Sequence, residues 1–455
     1  MSSEHSPTRI GVAIVEQDGK FLVGVRQPTQ TLAGKAEFPG GKCLPEESAA
    51  ACAVRETAEE TGLDVIAEEL LYQIEHRYSH DVVALQFWLC RLVDVEQSEP
   101  AEHFLLATTP LLEQLDFPKR TVRHRFAAEA GVGLMRALVL NEGQLRYRSD
   151  YESKPPETPA TNLVPVNVLM AGICETDLQL VAGYMNFAGV PGHEFCGIAT
   201  SGKYAGQRVV GEINCSCGNC SYCALSLGRH CPHRTVIGIL NHDGAFADQL
   251  YVPEENLYPV PDEVSTEEAV FVEPLAAAYE IVSQVKFKAE DRIAILGDGR
   301  LGNLCAQVLH QEPGEVIVLG RHPHKLDRLH KLGISTELSE NIAQERQFEY
   351  VVDCTGSASG IEAALGYVRP RGTIILKTTV AGTQSLSLAP FVIDELTLIG
   401  SRCGLFAPAI AALQHGQIDV KSLIDSRYPL ESGLEAFERA QTPGVMKVLL
   451  EISAG

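Results

Sequence analysis

Cys217, Cys220, Cys223 and Cys231 stand in the spacing C-x2-C-x2-C-x7-C. Four thiolates in one short lobe can close a tetrahedral shell around Zn²⁺, which prefers such soft ligands and needs no open position in a structural site. Cys215 falls just outside the spacing and reads as a bystander. A more scattered set comprises Cys174 in GICETDL, His193-Glu194 in PGHEF and Glu273 in FVEPLA. Singly, such residues are more often core than ligand. The run RIAILGDGRLG places Gly297, Gly299 and Gly302 as G-x-G-x-x-G between an apolar strand and a credible helix, NLCAQVLHQ. A dinucleotide pyrophosphate needs that context: a tight turn, close backbone approach and a helix N-terminus aimed at the phosphates. Finally, Glu56, Glu59 and Glu60 are spaced at three and four, so a helix puts all three on one face. Carboxylates that dense repel unless a cation neutralises them, and hard oxygen ligands suit Mg²⁺ or Mn²⁺. A solvated acidic face is the ordinary fate of such a helix. Here Arg55 is placed to hold one glutamate, and the Gly40-Gly41 loop can let backbone approach a phosphate.

The elements that must carry these residues follow from local pattern. Strand-like runs RIGVAIVE and FLVGVRQ flank a turn at Asp18-Gly19, FPGGK leads into a helix from about Glu47 to Thr61, and Gly62 stands where a helix-ending glycine belongs. DVVALQFWLCRLV alternates as a strand. A second start-like segment, MRALVL, opens at Met135 after the linker-like FAAEAGVGL. Short strands, glycines and turns run from there to about Pro261. Helices then alternate with RIAILG, EVIVLG, YVVDC, GTIILK and LTLIG, the form of a parallel doubly wound sheet.

The 455 residues exceed one ordinary core, and 45% hydrophobic content with mean hydropathy +0.01 describes a globular chain. A net charge of −22 argues against nucleic acid polymers and anionic membranes as partners, though not against small phosphorylated substrates. MSSEHSPTRI has no apolar secretory core, and no apolar run approaches the roughly 18 residues needed to span a bilayer. Thirteen cysteines in such a chain suggest metal ligation more than disulfides, and the expected location is cytoplasmic.

Gly41, Glu47, Arg55, Glu56, Glu59, Glu60 and Gly62 match the Nudix box at every charged and glycine position; Thr57 replaces its usual aliphatic residue. With EFPGGK before the box, ALQFWLC after it and EQLDFP beyond, the segment resembles the MutT-like Nudix hydrolases. The resemblance implies an α/β/α sandwich that uses Mg²⁺ or Mn²⁺ on Glu56, Glu59 and Glu60 to hydrolyse a nucleoside diphosphate linked to another group. Ala36 and Thr121 depart from the tryptophan and asparagine of that branch, which argues against oxidised dGTP. The first proline after the box is Pro100, unlike ADP-ribose hydrolases.

Met135–Gly455 resembles the zinc-dependent medium-chain dehydrogenases, on the threonine, sorbitol and glucose dehydrogenase side. That implies a GroES-like β-barrel-type domain and a Rossmann domain, and two Zn²⁺. One would be structural, on Cys217, Cys220, Cys223 and Cys231. The other would be catalytic, on Cys174, His193 and either Glu194 or Glu273, with Thr176 as proton relay and Asp177 orienting the histidine. Glu175 departs from the small residue usual there. Gly297, Gly299, Leu301 and Gly302 would hold NAD(P), with Thr355 of VVDCTG on the nicotinamide side. No acid follows EVIVLG at Gly320-Arg321, and Arg321 can face a 2′-phosphate, so NADP is preferred over NAD. The expected division is a Nudix domain over 1–130, a linker over 131–134, a GroES-like domain over 135–262 completed by 403–455, and a Rossmann domain over 263–402. The leading expectation is a bifunctional enzyme acting on a small alcohol or polyol and on a nucleotide-linked molecule, as a homodimer or homotetramer. The alternative makes the Nudix part a nucleotide-sensing module that does not hydrolyse.

Overall fold

Apolar runs punctuated by glycine and polar residues become the strands of two units, Met1–Leu134 and Met135–Gly455. The structure, a computed structural model, describes residues 8–17, 20–26, 36–77, 82–93, 104–108, 134–153, 155–156, 162–379 and 385–453. The Asp18-Gly19 turn, the EQLDFP segment, Thr121 and linker residues 131–133 lie outside the described residues. Leu134, expected in the linker, opens the strand Leu134–Asn141, which begins at the boundary between the two units.

In the first unit β1 (Thr8–Gln17), β2 (Lys20–Val25), β3 (Ala36–Glu37), β4 (Gly40–Lys42), β5 (Val65–Arg77), β6 (Val82–Leu92) and β7 (Phe104–Thr108) form one sheet. Its order is β3-β2-β1-β6-β5, with β4 on β1 and β7 on β2; β1 and β6 run parallel. Alternation sends Val12, Ile14, Phe21 and Val23 to one face and Ala13, Val15 and Leu22 to the other. The helix Ala49–Thr61 covers the second face through Ala53. It can do so because β1 carries Gly11, where a β-carbon would lie 2.2 Å from Ala49 O. The helix begins two residues later than the sequence suggests: Ser48 Oγ caps it by accepting from Ala51 N at 3.1 Å. Gly62 ends it with φ +75°. Thr57 is fully buried, and its hydroxyl donates to Ala53 O at 2.7 Å, which lets it stand where an aliphatic residue was expected. The second helical layer of a sandwich is not among the described residues.

The second unit starts with the hairpin β8 (Leu134–Asn141) and β9 (Gln144–Glu152). It continues through β10 (Leu163–Gly172), β11 (Glu194–Ala199), β12 (Arg208–Gly211), β13 (Asn214–Cys215), β14 (Thr235–Val236), β15 (Gln249–Pro253) and β16 (Leu257–Pro259). A parallel sheet follows: β17 (Arg292–Leu296), β18 (Glu315–Gly320), β19 (Ser335–Leu338), β20 (Phe348–Asp353), β21 (Val368–Leu376) and β22 (Thr397–Gly400), in the order β19-β18-β17-β20-β21-β22. Order reverses between β17 and β20, the crevice where doubly wound sheets bind ligands. The chain then returns: β23 (Ile424–Pro429) and β24 (Lys447–Glu451) extend the first sheet as β16-β12-β11-β10-β24-β23. Among the described residues no helix is long and apolar enough to cross a membrane.

Candidate active and metal sites

The sulfur lobe is assembled by a single turn of helix, Ser221–Ala224, and a tight turn at Gly228–His230. Its Sγ atoms are separated by 3.5 Å (Cys217–Cys231 and Cys220–Cys223), 3.7 Å (Cys220–Cys231) and 3.9 Å (Cys217–Cys223). A tetrahedron with metal–sulfur bonds of about 2.3 Å has edges of about 3.8 Å, so the donor set fits Zn²⁺. Cys215 stays out of the cluster; burial pushes its thiol up to about 12.

Antiparallel pairing of β10 with β11 sets Gly172 opposite Glu194, which brings the Cys174 loop against His193-Glu194. The ligand atoms of Cys174, His193 and Glu194 all lie within 4.8 Å of one another. Asp177, fully buried, ties both loops together. Its Oδ2 accepts Cys174 N–H at 2.8 Å and its Oδ1 accepts Gly192 N–H at 3.2 Å. Oδ1 also faces His193 Nδ1 at 3.3 Å, which leaves Nε2 for a metal. Burial alone would push the His193 imidazole down; the Asp177 and Cys174 charges outweigh it and hold its pKa well above the ordinary value. Thr176 Oγ1 lies 3.9 Å from Cys174 Sγ, and Glu175, exposed, reaches Arg300 at 3.5 Å.

Glu273 is the exception. On the helix Val272–Gln284 it does not join the Cys174–His193–Glu194 group; its Oε1 sits 4.0 Å from Cys403 Sγ. Burial pushes its carboxyl up to about 7, and the Glu194 charge adds to that. Glu194 in turn pairs with Lys447, both side chains being almost wholly buried, and Lys447 Nζ also donates to Ile173 O at 3.4 Å.

At the glycine turn, Gly297 has φ +113°, and a β-carbon there would lie 2.6 Å from Cys354 O. One at Gly302 would lie 2.1 Å from Gly297 O. A β-carbon at Gly299 would meet nothing within 4 Å. The outer two glycines are therefore demanded by packing, and the middle one leaves room for a pyrophosphate at the N-terminus of the helix Arg300–Leu309. A dinucleotide fits this cradle. Leu301 packs partly on the core. The Thr355 hydroxyl is already engaged with Asp353 Oδ1 at 2.8 Å. Arg321 is exposed, with its backbone N–H held by Asp298.

In the first unit Arg55 does more than hold one glutamate. It bonds Glu47 through Nε at 2.9 Å, Glu56 at 2.8 Å and Glu59 at 3.0 Å. That hold brings the Glu47 carboxyl down to about 2. Glu60 turns the other way and accepts Gly40 N–H at 3.1 Å. Burial pushes Glu60 up to about 7, with Glu37 and Glu56 adding to the effect. Gly41 is required by this crowding, since a β-carbon there would lie 2.3 Å from Glu56 Cδ. Glu56, Glu59 and Glu60 thus share a helix face without converging on one point, because a guanidinium takes two of them.

Sequence reasoning missed three residues. Glu37, in EFPGG, adds a carboxylate near Glu60 and pairs with Arg26 at 2.8 Å. Asp298 sits inside the glycine turn. Lys447 is the first residue of β24, ahead of the apolar Val448-Leu449-Leu450, and a charge opening a buried strand is the one signal that could have marked it.

Three family models match the chain: a NUDIX domain over residues 11–123, an alcohol dehydrogenase GroES-like domain over 160–262 and a zinc-binding dehydrogenase domain over 301–415. D-arabitol-phosphate dehydrogenase of Enterococcus avium is 29% identical over 315 residues, 63% of this chain and 89% of that protein. Sorbitol dehydrogenase of Bacillus subtilis is 26% identical over 303 residues, 61% of this chain and 86% of its own length. Among solved structures, a zinc-binding dehydrogenase from Sinorhizobium meliloti 1021 bound to NADP superposes with a TM-score of 0.62 at 26% identity, over 70% of this chain and 99% of that one. An alcohol dehydrogenase from Thermus sp. ATN1 gives the same TM-score at 25% identity, over 70% and 100%. The second unit therefore has the GroES-like plus Rossmann architecture of zinc-type medium-chain dehydrogenases.

Proposed function

We propose that the chain is a bifunctional enzyme. Its second unit would be a zinc-dependent, NAD(P)-linked dehydrogenase of a small alcohol or polyol. Its Nudix unit would be a Mg²⁺- or Mn²⁺-dependent hydrolase of a nucleoside diphosphate-linked molecule. The observation that carries the first activity is the Cys174–His193–Glu194 cluster, braced by Asp177 within the same unit as the open glycine turn. Zinc held by these donors supplies Lewis-acid polarisation of a substrate oxygen, and a nicotinamide dinucleotide supplies the hydride acceptor. The Thr176 hydroxyl, 3.9 Å from Cys174 Sγ, would pass on the alcohol proton. Asp177 keeps both loops and the imidazole in register while that happens. The arabitol-phosphate and sorbitol dehydrogenases among the relatives support a polyol as substrate class. Arg321 and the absence of an acid at Gly320 support NADP. The edge strand β22, with exposed Val392, Ile393 and Leu398 on and beside it, supports a homodimer. Screening polyols and alcohols with NAD⁺ and NADP⁺ for appearance of reduced coenzyme tests substrate class and coenzyme together.

The intact set of Glu47, Arg55, Glu56, Glu59 and Glu60 supports hydrolysis by the first unit, because a pure binder has no need of a carboxylate face for a metal. One observation favours the sensing alternative: Arg55 occupies Glu56 and Glu59. Phosphate release from a nucleotide panel in Mg²⁺ decides between them. Glu60→Gln is expected to cut it more than a hundredfold while leaving polyol oxidation within twofold. Nucleotide binding with no turnover in the unsubstituted chain would favour the sensor.

Metal analysis should find about two zincs per chain. Cys220→Ser is expected to remove one of them. A folded chain with no zinc, inert after zinc is resupplied, would end the dehydrogenase proposal.

A further inference from the structure

The adenosine end of the coenzyme site contains an acid that the usual strand-end rule does not look for. Asp298, between the first two glycines of the turn, is 6% exposed. Its Oδ2 accepts the backbone N–H groups of Arg321 and His322, each at 2.7 Å. His322 Nδ1 lies 2.9 Å from Oδ1 and 3.1 Å from Oδ2. A carboxylate can only accept, so Nδ1 carries the proton and Nε2 is left for an outside partner. Burial opposes ionisation of Asp298, yet these three donors outweigh it and hold the carboxyl below its ordinary value.

The same carboxylate explains why β18 ends in glycine. A β-carbon at Gly320 would lie 2.5 Å from Asp298 Oδ2 and 2.7 Å from Asp298 Cβ. Gly320 is where a strand-end acid would receive the adenosine ribose hydroxyls of NAD. Asp298 fills that space, and its lone pairs are committed to protein donors, so it is a poor substitute for the missing acid. Two side chains remain that can face a phosphate. The exposed Arg321 guanidinium makes no hydrogen bond or ion pair among the described residues. The His322 side chain is partly exposed at 38%. His324 stands next to it, ring centroids 6.0 Å apart, and Lys325 lies buried behind.

We propose that Asp298 sets the coenzyme preference: it anchors His322 and the Arg321–His322 backbone so that the imidazole and the guanidinium together take the 2′-phosphate of NADP(H). Asp298 is then a positioning residue, acting through His322, and the inference rests on the NADP reading given above. The acid in the turn engages His322 Nδ1, which turns Nε2 outward, and its own oxygens are filled by protein donors, so no unpaired carboxylate at the strand end faces a 2′-phosphate.

Binding of NADPH and NADH to the full chain, each followed by coenzyme fluorescence or calorimetry, tests this without any substrate. The unsubstituted chain is expected to bind NADPH at least tenfold more tightly than NADH. Asp298→Asn and His322→Gln should each lower NADPH affinity about tenfold more than they lower NADH affinity. The ratio is the informative readout, since general damage to the fold would weaken both coenzymes. If Asp298→Asn leaves the ratio unchanged, or raises it, Asp298 does not act in this way. Should that variant fail to fold, His322→Gln on the partly exposed ring carries the test, and an unchanged ratio there also overturns the proposal. A preference for NADH in the unsubstituted chain defeats the NADP reading itself, a distinct failure from loss of the Asp298 effect within an NADPH-preferring enzyme.

Discussion

Cys174→Ala is expected to lower kcat for the dehydrogenase at least about a thousandfold, equivalent to about 4 kcal/mol of transition-state stabilisation, while the fold survives. The two halves of that expectation have separate causes. Activity falls because Cys174 supplies the soft donor of a three-residue set whose ligand atoms lie within 4.8 Å. Neither the His193 imidazole nor the Glu194 carboxylate, already committed to Lys447, replaces a thiolate. The fold survives because the Cys174 loop is held by its backbone: Cys174 N–H donates to Asp177 Oδ2 at 2.8 Å, and Asp177 N–H returns a bond to Cys174 O at 3.2 Å. Neither bond needs the sulfur. Kinetics on the best polyol found by screening, zinc content and thermal melting check all three consequences. Zinc should fall by one per chain, melting should shift by no more than a few degrees, and nucleotide hydrolysis by the first unit should be unaffected. Retention of a tenth of the original activity would show that the reaction is run elsewhere.

How much could be read from sequence depended on how locally each feature is encoded. The sulfur lobe was legible because its four donors lie within one short stretch of chain, where spacing alone fixes proximity. The glycine turn was legible for the same reason: strand, turn and helix follow one another. The Cys174–His193–Glu194 trio is brought together by β10–β11 pairing, so single residues carried almost no signal and the motif as a whole carried it all. Where through-space geometry decides, the reading fell short. Whether Glu194 or Glu273 stands with Cys174 and His193 was open in the sequence; Glu194 does, and Glu273 lies outside their group. Arg55 was expected to hold one glutamate and holds three, since a guanidinium has five N–H donors and the helix spacing offers several acceptors. No acid stands about 20 positions after the turn; Asp298, within the turn, reaches the end of β18 instead, a contact that spacing along the chain does not foretell. Lys447 is separated from Glu194 by 253 positions, and no local pattern foretells that contact.

That last contact underlies the second large effect. Lys447→Met is expected to destabilise the dehydrogenase unit by about 3–5 kcal/mol. Lys447 and Glu194 side chains are 2% and 1% exposed, so removing the ammonium leaves a buried carboxylate without the cation it is bonded to. The Ile173 carbonyl loses a donor as well, although Arg300 Nη1 still reaches it at 3.0 Å. The pairing of β24 with β10 places Leu449 opposite Gly172, so the lysine also stands where the returning C-terminal strand closes the sheet behind the metal site. A buried pair stabilises far less than its disruption costs, because desolvation offsets most of the attraction. The double variant Glu194→Gln/Lys447→Met should therefore recover much of the loss, though not the activity. The chain's one tryptophan makes the measurement clean: Trp88 lies in β6 of the first unit, so its emission reports that unit alone during denaturant unfolding. Circular dichroism reports both units. The transition seen by circular dichroism but not by tryptophan should move to lower denaturant in Lys447→Met and return in the double variant, with the Trp88 transition fixed throughout. A loss below about 1 kcal/mol in the single variant would mean that Glu194 finds water or a proton once Lys447 is gone, and that the pair is not what holds β24 against β10.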